Sequence, residues 1–417
     1  MCLCLLFLYL VHGHNCIGLV LRHDKLSLED NDVLYLFETV GLLLGSSDLD
    51  ESTQQSFLIT IIEPHAISIE QHLSSPHLNK DHEHYGQLLS NSVAAIAYLT
   101  KGYPKPTLGI QSVLIQTLPL CHRVLTSLSF VRLIRGKVII YLQRMIICLG
   151  SKSLSYLSPF IQVLINSADV DDIGDIGQLL YQICSKFKRE AYDVVNSSIL
   201  PFIQKCELFI PKVDDIANTA HGNIPPHLMT EQVVIKKHIF AMISYVVSND
   251  LTDILVSAIN VSSLEVVMKT MYDGALFVDD SSVKKYCLNF FRVIIKKWTS
   301  TDVGASSDHP TTIQNGLLHF LYTNLIPGLL EMVRKPTFNV KDANDFRVLR
   351  DIGYLLYDVF ETRGLEEFQS MVVSSISVTM EIHPTDILTS VTKVVSAEQM
   401  STSLYQWISL KKSLDTS

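Results

Sequence analysis

Glycine and proline are scarce in this chain, 18 and 14 of 417 residues. Strands joined by tight turns draw heavily on both, so their scarcity argues against an all-β architecture. Charge is thin as well, with 18% of residues charged against 47% hydrophobic. So much apolar surface can offset the entropy of ordering the chain, which excludes wholesale disorder. An excess of positive charge is also missing, since the formal net charge is −9. A protein that coats nucleic acid non-specifically is basic overall, so a nucleic-acid partner here requires basic residues gathered on one local surface. The acidic balance suits a protein-binding scaffold equally well.

Contiguous catalytic and ligand-binding motifs are absent. Gly136-Lys137 is followed by Val138, which has no hydroxyl for Mg²⁺, so it is not a phosphate loop. No G-x-G-x-x-G, G-x-S-x-G or H-E-x-x-H occurs. In His82-Glu83-His84 the two imidazoles are two residues apart and diverge on a helix, so a solvated helix start is favoured over a metal site. Cys2-x-Cys4 has no second pair, and His12 and His14 share that weakness. The other cysteines, Cys16, Cys121, Cys148, Cys184, Cys206 and Cys287, are scattered singly, mostly in apolar runs. They read as buried reduced thiols, which fits the cytosol or nucleus. Asp171-Asp172 and Asp279-Asp280 each sit beside an expected helix start and read as caps rather than acid/base pairs. No enzyme activity, metal or cofactor is expected.

What is present is helical periodicity. Val283, Tyr286, Cys287, Phe290 and Ile294 trace one helical face, with Lys285, Asn289, Arg292 and Lys296 on another. Asp30 to Leu44 follows the same pattern, with Asp30, Asn31 and Asp32 as candidate caps and Gly45 as a stop. Val138 to Leu149 is apolar nearly all round, so it must be covered on most sides, as a helix between neighbouring repeats is. Breakers about one helix apart, from Gly45-Ser46-Ser47-Asp48 to His383-Pro384, delimit roughly fifteen helices of about 12–20 residues. Paired, they make roughly seven or eight units of about 40–47 residues, the size of a HEAT repeat. No strict sequence period accompanies them. The expected fold is therefore all-α, an α-solenoid of HEAT-like helical pairs wound into a superhelix without a sheet, over residues 27–417. The polar stretches Val213–Pro226 and Thr299–Thr312 read as inter-repeat loops.

Residues 1–26 stand apart. Met1 to Val11 is an apolar run without a basic n-region or a clear cleavage site, and it is too short to span a bilayer. It reads as a truncated helix of an upstream repeat or a gene-model artefact, as a secretory signal, or as an interfacial anchor. No membrane insertion is expected.

Basic residues cluster at Lys186-Phe187-Lys188-Arg189, Lys236-Lys237-His238, Lys284-Lys285, Lys296-Lys297-Trp298 and Lys341 with Arg347 and Arg350. Arg132, Arg135, Lys137 and Arg144 add a looser group. Each alone reads first as a solvated helix face. Several recur near helix ends about one repeat apart, and equivalent ends of a solenoid line up along one edge or along its concave surface. Such a track could follow an RNA phosphate backbone by shape. The candidates are Arg144, Lys186, Lys188, Arg189, Lys236, Lys237, Lys285, Arg292, Lys296 and Lys297.

Four stretches resemble, in order, the C-terminal half of the exportin-T family of karyopherins, which belongs to the importin-β superfamily. They are Leu28 to Gly41, with Glu38-Thr39-Val40-Gly41 in place of an "ETAG" segment; Gln143-Arg144-Met145-Ile146-Ile147-Cys148-Leu149; Ile183 to Lys188; and Phe320 to Ala343. The second is the most specific. The resemblance implies HEAT repeats and an export receptor that is not itself an enzyme. Its partners would be mature tRNA, GTP-bound Ran and the nucleoporins of the pore, and it would shuttle between nucleus and cytoplasm. It also implies that the N-terminal repeats carrying the principal Ran surface are missing from this chain. A HEAT scaffold binding only proteins is the main alternative, and a secreted or membrane-attached helical protein is the other.

Overall fold

The computed structural model describes residues 30–210, 226–299 and 311–415. Residues 1–26 and most of both long loops lie outside them. Among the described residues there are seventeen α-helices and no strand, as the periodicity requires. The chain divides into two compact units, Met1–His238 and Ile239–Ser417. The division falls inside a helix rather than at either polar loop.

The first unit contains α1 (Asp30–Gly45), α2 (Glu51–Leu73), α3 (His82–Leu99), α4 (Leu108–Ser127), α5 (Arg132–Leu149), α6 (Leu154–Ser167), α7 (Ile173–Phe187) and α8 (Tyr192–Leu208). Odd helices pack on odd ones, α1 on α3, α3 on α5 and α5 on α7; even helices pack on even ones in the same way. The result is the two-layered stack of helical pairs of HEAT-type repeats. Leu34, Phe37, Val40 and Leu44 bury one face of α1. In α5 no residue from Val138 to Leu149 is exposed, which is the all-round cover its composition demands.

The pair α7/α8 is joined to the pair α5/α6 by bonds of one offset. Gln182 Nε2 donates to the Gln143 carbonyl at 3.2 Å and Lys186 Nζ to the Ile147 carbonyl at 3.3 Å, both from α7 to α5. Lys205 Nζ donates to the Asn166 carbonyl at 3.1 Å, from α8 to α6. All three bonds span 39 residues. Proline recurs in the even layer. Pro64, Pro119, Pro159 and Pro201 lie one each in α2, α4, α6 and α8. All four are on the water-facing side, where solvent takes the carbonyl that proline leaves without a helical donor.

The resembling segments turn out to be packing elements. A Cβ on Gly41 would stand 2.0 Å from the Leu99 carbonyl oxygen, so only glycine lets α1 approach the end of α3 this closely. Beside it Glu38 pairs with Lys101 at 2.7 Å, and Cys148 Sγ lies 3.5 Å from the Thr100 carbonyl.

Helix α9 (Pro226–Ser248) crosses from the first unit into the second. The second unit continues with α10 (Leu264–Phe277), α11 (Ser281–Trp298), α12 (Thr311–Phe320), α13 (Ile326–Arg334), α14 (Ala343–Phe368), α15 (Ser374–Met380), α16 (Pro384–Val391) and α17 (Ala397–Asp415). The layering persists, with α11 on α14 and α14 on α17 in one layer, and α10 on α13 and α13 on α15 in the other. Asp280 caps α11 by accepting from the N–H groups of Ser282 and Val283, as the sequence implies. Helices α12 and α13 join through a π-turn, Leu321–Leu325. Ile313–Arg334 is long and apolar enough to cross a membrane, but half of it is buried in the protein. Helix α14 bends at Gly364 (φ 80°). The bend is held by Arg363, which grips both Glu367 oxygens and donates to the Thr299 carbonyl, while Tyr322 donates to Glu367.

Candidate nucleic-acid interface

All ten candidate cations lie on odd-numbered helices or the turns that end them. Arg144 is on α5. Lys186 is in the last turn of α7, and Lys188 and Arg189 are in the 3₁₀ turn that follows. Lys236 and Lys237 are on α9, and Lys285, Arg292, Lys296 and Lys297 are on α11. Their engagements differ sharply, and that separates them more than position does.

Several are committed to the protein itself. Arg292 Nε donates to Asp358 Oδ2 at 2.6 Å, and Lys296 Nζ lies 2.9 Å from Asp358 Oδ1. Asp358 is 1% exposed, so these cations neutralise a buried carboxylate. Lys297 pairs with Asp250 at 2.7 Å. Lys186 spends a proton on the Ile147 carbonyl, and partial burial pulls its pKa down from the usual lysine value. Lys186 and Arg144 both act electrostatically on the Cys148 thiol, which burial pushes up to about 11. Arg144 Nε is buried without a hydrogen-bond partner. The Arg189 guanidinium stacks 5.3 Å from the Tyr192 ring centroid. Lys237 has a partner too. Lys188, Lys236 and Lys285 are exposed and carry no side-chain ion pair or hydrogen bond among the described residues. Lys188 adopts φ 47°, which turns the chain out of α7.

The looser basic group resolves into a structural core and a groove. Arg135 is 2% exposed and is held by Asp172, Asp169 and the Ser129 carbonyl. Asp172 also accepts from the Asp169 N–H at 2.9 Å. Burial raises the Asp172 pKa even though Arg135 and that N–H pull it down. The aspartate read as a cap does close a capping box with Asp169 and is also the buried partner of an arginine, while Asp171 pairs with exposed Arg132 at 2.6 Å. Next to it, α5 and the start of α7 line an open groove of about 470 Å³, with Arg132, Lys137, Gln143 and Asp175 around Ile139 and Ile140. Its signs are mixed. His82, Glu83 and His84 are exposed at the start of α3, and no group of His, Cys, Asp and Glu fit for a metal occurs among the described residues.

The ten-residue set omitted Arg347 and Arg350. Helix α14 lays Arg350 and Tyr354 beside Arg292 of α11, so two basic segments far apart in sequence meet on one face. Spacing within α14 could have shown that Arg347, Arg350 and Tyr354 share a face; only the packing shows that Arg292 joins them.

The Exportin-T family model matches residues 23–409. The chain belongs to the Exportin-T family. It is 24% identical over 349 residues to Exportin-T of Aspergillus terreus, covering 80% of this chain and 33% of that protein. It is 24% identical over 367 residues to Exportin-T of Danio rerio, covering 85% and 36%. The chain therefore spans about a third of the length of these relatives. Its fold matches that of importin beta, with a TM-score of 0.51 at 9% identity, over 96% of this chain and 44% of that one. As a member of the Exportin-T family the chain is a HEAT-like helical solenoid, as its periodicity indicated.

Proposed function

We propose that this chain is the cargo-holding portion of a tRNA export receptor. In this reading it binds folded tRNA through cations of its odd-numbered helices, works with GTP-bound Ran, contacts nucleoporins during passage and shuttles between nucleus and cytoplasm. Membership of the Exportin-T family over residues 23–409 carries the proposal. Lys188, Lys236 and Lys285 support it, because each is exposed and carries no side-chain ion pair or hydrogen bond among the described residues. Recognition is by shape, through phosphate and 2′-OH contacts, so affinity falls steeply with salt.

The test is binding of the purified chain to folded tRNA across a salt series, with and without GTP-loaded Ran. Salt-sensitive binding strengthened by Ran-GTP is expected. Binding that Ran-GTP leaves unchanged removes the coupling and keeps the cargo role. No binding at moderate salt favours the second reading, a protein-only scaffold, for which the observation is that Arg292, Lys296 and Lys297 are already paired within the chain.

A further inference from the structure

The face shared by α11 and α14 gathers two arginines around one tyrosine ring. Two guanidinium groups lie against the Tyr354 ring, with Arg292 5.1 Å and Arg350 5.9 Å from its centroid. Each arginine turns its Nε edge to a carboxylate, Arg292 to Asp358 at 2.6 Å and Arg350 to Asp351 at 3.9 Å. Among the described residues neither makes a hydrogen bond through its Nη groups. Arg292, hydrogen-bonded at Nε and set against the ring, keeps its fork pre-organised, and that fork is the geometry that grips phosphate oxygens; Arg350 sits beside the same ring with only a longer electrostatic contact to Asp351. Arg350 is 48% exposed and Arg292 26%, so both forks reach water. Lys285 and Arg347, both exposed, stand on the same two helices. The fixed anions nearest the forks are withdrawn: Asp358 is 1% exposed and Asp351 18%. Burial also raises the Asp351 pKa, although Arg350, Arg292 and Lys285 pull it down. Glu361 and Glu398 flank the site, Glu398 accepting from the Tyr354 hydroxyl at 3.3 Å.

The geometry points to a phosphodiester clamp, in which the open Nη groups of Arg292 and Arg350, held on Tyr354, grip one phosphate of an RNA backbone while Lys285 and Arg347 contact its neighbours. It rests on the RNA-binding reading above and names the site that reading lacks. A run of cations along two adjacent helices suits a continuous polyanion better than the single phosphate of a phosphopeptide.

The experiment uses the full chain and measures fluorescently labelled folded tRNA by anisotropy against salt. Arg350→Gln should weaken binding about tenfold and lower the log–log salt slope by about one. Arg350→Lys keeps charge without the fork and should fall between. Tyr354→Leu should weaken binding as Arg350→Gln does, and Tyr354→Phe should restore it. Lys269→Gln removes a cation from α10 that is exposed and paired with Asp273, and should leave binding within about twofold. Arg350 is exposed, so its variants should fold, and far-ultraviolet circular dichroism checks this. Wild-type binding that Arg350→Gln and Tyr354→Leu leave untouched overturns the clamp and spares the RNA reading. A wild type that does not bind tRNA removes both. A phosphoserine peptide that binds more tightly than tRNA, with the same dependence on Arg350, overturns RNA as the occupant.

Discussion

Replacing Arg135 by methionine should destabilise the first unit by about 3–5 kcal/mol, the cost of leaving a buried charge without its partner. The structure sets the terms. Arg135 and the side chain of Asp172 are 2% and 4% exposed, 2.7 Å apart. At an effective dielectric of about 20 their attraction is about 4–5 kcal/mol, while desolvation costs several kcal/mol for each ion. The intact pair is therefore close to balanced, and losing the cation alone is what costs. Arg135→Met/Asp172→Asn removes the cation and its buried anion, leaves only the half-exposed Asp169 charged and keeps an acceptor for the Asp169 N–H, so it should recover about 2 kcal/mol of the loss. The pH dependence follows. Without Arg135 the Asp172 pKa, already raised by burial, climbs further above the unfolded value of about 3.9. A carboxylate that binds its proton more tightly when folded loses stability as pH rises through that window. Arg135→Met should therefore be least impaired near pH 4–5 and most impaired at neutral pH. Urea unfolding, with hydrogen exchange of the α5 and α7 amides assigning the change to this unit, measures both effects. A loss under about 1 kcal/mol, or a double variant worse than the sum of the singles, would refute the reasoning.

Burial lowers the pKa of His238, which faces the Tyr181 hydroxyl at 3.1 Å. The folded state prefers the neutral ring, so its contribution is intact above about pH 6.5 and is lost as pH falls below that value; His238→Gln should flatten the slope of melting temperature between about pH 7 and 5. Gly41→Ala gains up to about 1 kcal/mol of helix propensity but forces α1 off the backbone of α3, for a net loss of about 1–3 kcal/mol in chemical denaturation. A stabilised variant would contradict the 2.0 Å approach. The buried thiols of Cys121, Cys184 and Cys206 are pushed up to about 12, Cys148 to about 11, and Cys287 is raised as well. Iodoacetamide at about pH 8 should leave all five unlabelled in the native protein by peptide mapping, since the thiolate is the reactive form; rapid labelling of any one would show that its site opens.

Helix existence and layering were legible because apolar spacing reports burial directly: the face of α11 and the all-round cover of α5 both follow from it. The prolines inside the helices gave no local sign of their role. Pro119, Pro159 and Pro201 sit on the side where water replaces the lost bond. Charge was the least legible property. Arg135 looked like one of a loose basic group, and only burial beside Asp172 makes it structural. Arg292 looked exposed on its helix, and α14 supplies both its carboxylate and its ring. Partners more than sixty residues away in sequence leave no local trace.

The bonds that join α7 and α8 to α5 and α6, Gln182 to Gln143, Lys186 to Ile147 and Lys205 to Asn166, all end on main-chain carbonyls. Every amino acid supplies that acceptor, so the receiving positions can mutate without breaking the joint, and only the donor side chain is constrained. A seam built this way tolerates drift: the sequence can wander to 24% identity with Aspergillus and zebrafish relatives while the spacing between helical pairs stays locked to the backbone.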